Sequence, residues 1–247
     1  MPIRTMKRSL ALVWLFLKEQ LKEPIAVFWM IVSPVSTYYL LTYYRAGLGV
    51  SVGSYLESTS WFYAYVSSSV AFFGFSFYII GRRESGFIRS FIYTLGAKFV
   101  FMLAQYLAYS LIALIYGTVF FVLTYFSFGL FDLSDLLSVL VRFYVCYMLF
   151  SIFGILLSFL PMNFQNANTI FSVISFVMLA LGVLGVRGES SIINFVNVFN
   201  PLCVANKIML GGVLGNGFLV FCICVLFVAV FLLSLRFLRI NPVWSRY

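Results

Sequence analysis

Long, uninterrupted apolar stretches dominate the pattern of hydrophobic and polar positions in this chain. Six of them approach or exceed the about 20 residues that an α-helix needs to cross the hydrocarbon of a bilayer. The strands of a transmembrane barrel would instead alternate between apolar and polar residues. We therefore predict an all-α integral membrane protein with six transmembrane helices. They cover residues 25–44, 61–80, 99–126, 137–160, 169–186 and 218–235.

The segment before the first span has a helical period of its own, with charge on one side and apolar residues on the other. The charged side holds Arg4, Lys7, Arg8, Lys18, Glu19 and Lys22, and the apolar side holds Met6, Leu10, Val13, Leu17 and Leu21. This pattern predicts an amphipathic helix over residues 4–23 that lies flat in the cytoplasmic interface and is ended by Pro24. The helix either anchors the chain or offers a docking surface. The candidate contacts of such a surface are Lys7, Arg8, Lys18 and Lys22.

The segment between the fifth and sixth spans is too polar and too interrupted for a complete span. It contains two short apolar runs, IINFVNVF and LCVANKIML, which are separated by Asn200 and Pro201. We predict two short helices that dip into the outer leaflet, where protein or a water-filled cavity must cover the break between them. The alternative is a surface loop, made flexible by Gly211 and Gly212.

Composition supports the membrane assignment. Of the 247 residues, 63% are hydrophobic and 9% are charged, whereas a soluble domain carries about 25% charged residues. A globular fold could not remove this much apolar surface from water. We therefore expect one transmembrane domain over residues 1–247, with no separate soluble catalytic domain.

Lysine and arginine are divided unevenly between the two sides of the predicted topology. Twelve of the sixteen fall on the side shared by the N-terminus, the second-to-third loop, the fourth-to-fifth loop and the C-terminus. Cytoplasmic loops carry such an excess, so both termini are predicted to be cytoplasmic, in the cell membrane. Orientation in the membrane thus accounts for the net charge of +9, and no nucleic-acid partner is indicated.

The residues that most enzymes use for chemistry are scarce here. The chain has no histidine and no GxxxxGK[ST] nucleotide-binding loop, and its seven acids all fall in loops or at predicted interfaces. Its four cysteines form no CxxC pair and are expected to be packing residues. We therefore predict no catalytic site and no bound metal or cofactor. Arg142, near the outer end of the fourth span, is the best candidate for the intramembrane ionisable group of a coupled carrier.

Charge is concentrated in one short segment, GRRESGFIRS, which lies between the second and third spans. Three arginines and a glutamate fall within its ten positions. Anchoring by the positive-inside rule would account for the arginines, but it gives no reason for Glu84 and Gly86. A short charged helix at a membrane surface can instead dock in a polar groove of a partner, where its charges set the orientation.

Three segments, in their order along the chain, resemble parts of the membrane permease of type-2 ABC exporters. FLKEQLKEPIAVFWMIVSP, from Phe16 to Pro34, is similar to the interface helix and the start of the first span. RRESGFIRSF is similar to the Glu-Arg-Glu-x-Gly-Thr segment of the coupling helix. In it Arg83, Glu84 and Gly86 match, and Arg82 and Phe87 depart from the pattern. FNPLCVANKIMLGG is similar to the Asn-Pro stretch before the last span, with Lys207 where an arginine is frequent.

The resemblance implies a permease that pairs with a second copy or a related permease. Cytoplasmic ATPase subunits, which bind ATP and Mg²⁺, would drive the transport, and the substrate would move outward. The loop at residues 82–97 would be the coupling helix. Its contacts to the ATPase would be Arg82, Arg83, Glu84, Gly86, Phe87 and Arg89. The outer helices would gate the extracellular side, with Asn200, Pro201 and Lys207 as candidates. A stand-alone carrier or channel and a non-transporting membrane scaffold are the alternatives.

Overall fold

A computed structural model describes residues 2–47, 53–92, 94–126, 128–129, 131–186 and 191–238. The side chains of Lys7 and Arg8, both predicted docking residues, lie outside the described part. Helices joined by short connections make up the described residues, and no strand occurs among them. The helices are α1 Pro2–Leu21, α2 Pro24–Gly47, α3 Tyr55–Ser69, a π-helix Val70–Ser76, α4 Phe77–Glu84, α5 Phe87–Phe91, α6 Leu95–Tyr125, α7 Leu133–Ser158, α8 Phe164–Val186, α9 Ser191–Phe199, α10 Pro201–Gly215 and α11 Gly217–Phe237.

Five helical segments are long and apolar enough to cross a membrane. They are Tyr55–Glu84, Leu95–Tyr125, Leu133–Ser158, Phe164–Gly185 and Gly217–Phe237. Five of the six predicted spans fall on these segments. The first predicted span falls on α2, whose 24 residues give a length of about 36 Å. The chain is an all-helical, multi-pass membrane protein, as predicted.

Polar caps set the helix starts and explain why several predicted spans began too late. Ser54 accepts a hydrogen bond from the amide of Glu57, and the Glu57 carboxylate accepts one from the amide of Ser54 at 2.8 Å. This capping box satisfies amides that a helix start leaves without partners. The helix therefore begins at Tyr55, six residues before the predicted start at residue 61. Thr94 caps α6 and Asp132 caps α7 without a reciprocal bond, by accepting from the amides of Ala97 and Ser134.

A seven-residue π-helix, Val70–Ser76, interrupts the long second span. The amide of Phe77 donates to the carbonyl oxygen of Phe72, which is the five-residue backbone spacing of a π-helix. The Ser76 hydroxyl also donates to the carbonyl oxygen of Ala71, at 2.8 Å. Gly154 of α7 packs so closely here that a β-carbon at residue 154 would overlap the Ser76 hydroxyl. A β-carbon at Gly74 would lie 2.7 Å from the Tyr109 ring. Two glycines thus let neighbouring helices approach the π-helix.

Long-range contacts at one end of the bundle show which helix ends lie together. Glu19 of α1 pairs with Arg82 at the end of α4, and Arg83 donates to Ser158 at the end of α7. Lys98 near the start of α6 donates to the carbonyl oxygen of Leu238, just after α11. We call this the charged end. The sequence analysis placed the second-to-third loop, the fourth-to-fifth loop and both chain ends on one side of the membrane. These contacts agree with that arrangement for the described residues.

The helices α9 and α10 form a bent pair with an angle of 77° at Asn200. The Asn200 amide nitrogen donates to the carbonyl oxygen of Met178 in α8. Met178 lies eight residues before Val186, or about 12 Å along the helix from its end. The helix α10 then returns antiparallel to α7, since Ala205 contacts Cys146 and Met209 contacts Arg142. The pair therefore enters the helix bundle and leaves it again at the end opposite the charged end. The two short helices predicted between the fifth and sixth spans would follow the same course.

The helix α1 packs along α6 and uses a different apolar face from the predicted one. Val13 and Leu17 are buried as expected, but Phe16 and Gln20 complete the buried face. The predicted members Leu10 and Leu21 are exposed. Contacts with α6, including the Phe16 and Phe101 rings at 6.1 Å, decide which side is buried. The placement of α1 flat in the interface stays a prediction.

Candidate functional site at the charged end

Arg83 lies at the centre of the charged end, and its side chain is only 1% exposed. The residue closes the last turn of α4 with its side chain directed inward. Its guanidinium donates to the carbonyl oxygens of Ser158 at 3.0 Å, Leu160 at 3.2 Å and Met162. These carbonyls belong to the end of α7 and the connection to α8, where backbone acceptors lack helical partners. Arg83 therefore fixes the α7–α8 connection against α4.

Glu84 supports this arrangement from the next position. Its carboxylate pairs with Nε of Arg83 at 3.0 Å, and its side chain is 9% exposed. Arg83 and Glu84 were predicted as contacts to a partner, and their described contacts lie within the chain. Because Arg83 is buried, its guanidinium is not available to a second protein in this conformation.

Arg82 joins α1 to the loop between α4 and α6. Its guanidinium pairs with the Glu19 carboxylate and lies 4.0 Å from the centre of the Phe16 ring. The Phe87 ring lies 5.0 Å away on α5. Cation–π contacts of this kind add to an ion pair. Since the Arg82 side chain is 11% exposed, it holds two segments together more than it presents charge to solvent.

Gly86 makes the turn between α4 and α5. Its φ of 78° and ψ of 0° lie in the left-handed region, which glycine adopts without steric cost. No atom lies within 4 Å of the position that a β-carbon would take. The residue is thus required for the backbone conformation and not for close packing.

The predicted site residues that remain accessible are three cations, on a surface that also exposes Glu19 and Glu23. Arg89 is exposed on α5, next to the exposed Ser90, and Lys18 and Lys22 are exposed on and just after α1. Lys18 lies 5.0 Å from the centre of the Trp14 ring. A protein that contacts the charged end would therefore meet α1 and α5 together.

A cavity of about 790 Å³ opens beside this surface, between α1, α2, the second span and α8. We call it the aromatic cavity. Its charged lining residues are Glu19, Glu23, Arg82 and Glu84, and its aromatic ones are Trp29, Tyr65, Phe73, Phe77, Tyr78 and Phe164. The Phe77 and Phe164 rings are 4.0 Å apart between centroids. The cavity has both polar groups and a large apolar wall, which is the usual make-up of a small-molecule site.

At the other end of the bundle, the candidate gate residues have separate roles. Asn200 caps α10 by accepting from the Leu202 amide at 3.0 Å and is 4% exposed. Pro201 occupies the first helical position, where its missing amide has no consequence. Lys207 is exposed and contributes a carbonyl to Asn216. Of the three candidates, Asn200 is the one whose described side-chain contacts tie the bent pair to α8. Asn197 of α9 adds a second tie, since its amide nitrogen donates to the carbonyl oxygen of Leu181 in α8 at 2.8 Å.

Arg142 has a role that the sequence did not indicate. Its Nη1 donates to the carbonyl oxygens of Met209 at 2.8 Å and Leu210 at 3.4 Å, next to Gly212, whose φ is 73°. Like Arg83 and Lys98, it donates to backbone carbonyls at a point where a helix ends or breaks. The helix dipole favours a cation at such a point. Arg142, the best candidate for an intramembrane ionisable group, thus has its described partners in backbone carbonyls of α10.

Sequence reasoning missed the partners of these cations, since each pair is separated by 60 or more residues. It also missed Glu23, Trp29 and Tyr78 as cavity residues. The described residues contain no group of three or more His, Cys, Asp or Glu side chains that could hold a metal. Within the described part, all four cysteines are free.

Comparison with known proteins gives one distant relationship of partial coverage. No family profile matches the chain. It is 33% identical over 116 residues to Protein McbE of Escherichia coli. The match covers 47% of this chain and 48% of McbE, so the chain spans about half the length of this curated relative. The chain is therefore a multi-pass helical membrane protein with distant, partial similarity to McbE.

Proposed function

We propose that the chain is the membrane permease subunit of an ATP-binding-cassette exporter. It would form a translocation pathway together with a second permease copy, and separate cytoplasmic ATPase subunits would supply the energy. Both termini would lie in the cytoplasm, so the charged end would be the cytoplasmic end. The chain itself would hydrolyse no ATP and would bind no cofactor.

The Arg82–Glu19 ion pair is the observation that carries this proposal. It joins α1 to the α4–α5 turn, the two segments that resemble the interface and coupling helices of such permeases. The Phe16 and Phe87 rings flank the same guanidinium. A force applied to α5 therefore reaches α1 directly. The exposed Lys18, Lys22 and Arg89 give the joined segments a cationic surface that an acidic groove would complement.

Arg83 provides a second route for the same movement. Its contacts bind the end of α4 to the connection between α7 and α8. In the proposed cycle, ATP-driven closure of the ATPases displaces α5, and α4 carries α1 and the α7–α8 connection with it. Coupling of this kind requires contacts whose energies differ between two states. The π-helix in the second span is a natural place for the change, since π-helical turns accompany many functional sites.

The exposed apolar faces leave room for a second permease copy. Only 22% of the most apolar stretch of α8, and the same share of that of α11, is buried within the chain. Lipid or a second permease covers the remainder. The proposal assigns part of this surface to the second copy.

Position-specific photo-crosslinking tests the ATPase contact. A benzophenone side chain is placed at Ser90 on α5, and a matched one at Ser54, which is exposed at the opposite end. Crosslinks are formed in native membranes and identified by mass spectrometry. The proposal predicts an ATPase with a Walker motif at position 90 and none at position 54.

Two outcomes would contradict the proposal. Recovery of no ATPase from position 90, with a stable chain that still moves solute, would favour a stand-alone carrier or channel. A chain that moves no solute in sealed vesicles, with or without ATP and its membrane partners, would favour a scaffold.

A further inference from the structure

We propose that the aromatic cavity binds an amphipathic cation with an aromatic body. This inference deepens the proposed function, because it names the chemical class of the exported compound. The binding itself needs only this chain.

The cavity has the dimensions of a site for one compound. Its volume of about 790 Å³ lies within the range of about 300–1,000 Å³ that is usual for small-molecule pockets. It is lined by α1, α2, the second span and α8, so a bound compound would touch four elements at once. The helix α1 and the last part of the second span, α4, also contribute Glu19 and Arg82 to the charged end.

The apolar wall favours flat, unsaturated groups. Trp29, Phe73, Phe77 and Phe164 supply four rings to it. Offset or edge-on packing against such rings stabilises an aromatic ligand beyond simple burial. The faces of these rings are also electronegative, which attracts a cation and repels an anion.

The charged lining residues determine the sign of the ligand. The described lining holds three carboxylates and one guanidinium. The Glu19 carboxylate pairs with Arg82, and the Glu84 carboxylate pairs with Arg83 behind the wall. Glu23 also lines the cavity and is exposed, and no described cation lies within salt-bridge distance of it. A cation is therefore the ligand charge that completes the cavity.

An anionic ligand fits poorly for the same reason. Arg82 is the cation of the described lining, and Glu19, Phe16 and Phe87 already surround it. An anion would have to displace Glu19 and lie beside Glu23. The cavity should therefore distinguish two ions of the same shape and opposite charge.

Tetraphenylphosphonium and tetraphenylborate are such a pair of probes. Their saturable binding is measured on the full chain in lipid nanodiscs without any ATPase, with empty nanodiscs as the blank. We expect saturable binding of the cation and none of the anion. E23Q should weaken cation binding by about tenfold, the effect of removing one nearby opposite charge. W29A should also weaken it, whereas E57Q, at the opposite end of the second span, should leave it unchanged.

The comparison of variants makes each result decisive. Thermal unfolding is the control for the fold: E23Q and W29A should unfold at the wild-type temperature, which would show that the protein around the cavity remains folded. Equal binding of both ions, or full cation affinity in E23Q, would overturn the proposal. Cation binding by a chain that crosslinks to no ATPase would leave this inference standing and remove the exporter function. An ATPase crosslink without cation binding would overturn this inference and leave the exporter function standing.

Discussion

Nη1 of Arg83 lies 3.0 Å from the backbone carbonyl oxygen of Ser158, 75 residues along the chain. This hydrogen bond joins the end of the second span to the end of α7. The same guanidinium reaches the carbonyls of Leu160 and Met162. Arg83 thus organises the charged end from within, and its predicted contact to another protein stays a prediction.

Replacement of Arg83 should be strongly destabilising. R83Q leaves three carbonyls without a charged donor and Glu84 without its cation. Loss of one member of a buried ion pair costs about 3–5 kcal/mol. Thermal unfolding in detergent should therefore fall well below that of the wild type. R89Q, which removes the exposed arginine six positions later, should unfold within about 0.5 kcal/mol of the wild type. Equal unfolding temperatures for R83Q and R89Q would contradict the assigned role.

The Arg82–Glu19 pair should matter more for coupling than for stability. Glu19 is 46% exposed on its side chain, so solvent screening limits the pair to about 1 kcal/mol or less. R82E and E19R should each uncouple ATP hydrolysis from transport, and the double variant R82E/E19R should recover part of the coupling. Transport per ATP hydrolysed in proteoliposomes provides the measurement. A double variant no better than either single one would show that the pair does not transmit movement.

A side chain at Gly86 should strain the turn before α5. An L-residue in the left-handed conformation costs about 1–2 kcal/mol, and no packing contact offsets this at residue 86. G86A should therefore lower the unfolding temperature. G96A is the matched control, because Gly96 lies in the first turn of α6 and its β-carbon would meet the Thr94 hydroxyl at 4.0 Å, an ordinary contact distance. Alanine at residue 96 should be neutral or slightly stabilising. The turn assignment fails if the two variants behave alike.

The contact between Gly154 and the π-helix gives a prediction about packing. A β-carbon at residue 154 would overlap the Ser76 hydroxyl, and overpacking of this kind costs about 1–3 kcal/mol. G154A should therefore be destabilised, and S76A should relieve part of the overlap. The double variant should be more stable than the sum of the two single effects predicts, since contacting residues are not additive. Additive unfolding energies would argue against this close approach.

The long apolar stretches made five of the six predicted spans accessible from the sequence, because crossing a bilayer sets their length directly. The helix starts were less accessible. The second span begins at Tyr55 because Ser54 and Glu57 form a capping box there. A search for apolar stretches misses such a start, since the capping residues are polar. The bend at Asn200 was predictable, since the following proline cannot continue a preceding helix.

The site could be predicted only in outline. The sequence placed Arg82, Arg83 and Glu84 in one loop, but it could not show that Arg83 points inward. Its partners are backbone carbonyls at residues 158, 160 and 162, and carbonyls carry no sequence signal. The buried face of α1 was missed for a related reason. Packing against α6 buries the polar Gln20, which accepts from the Tyr109 hydroxyl at 2.7 Å.

Purification of the tagged chain from native membranes tests the central claim most directly. The amount of co-purifying Walker-motif ATPase, and its ATP hydrolysis, is compared between the wild type and R89E. The charge-reversed residue is exposed, so the fold should persist. We predict that the wild type retains an active ATPase and that R89E loses most of it. An equal yield of ATPase from both would contradict docking at α5, and no ATPase from either would contradict the exporter function.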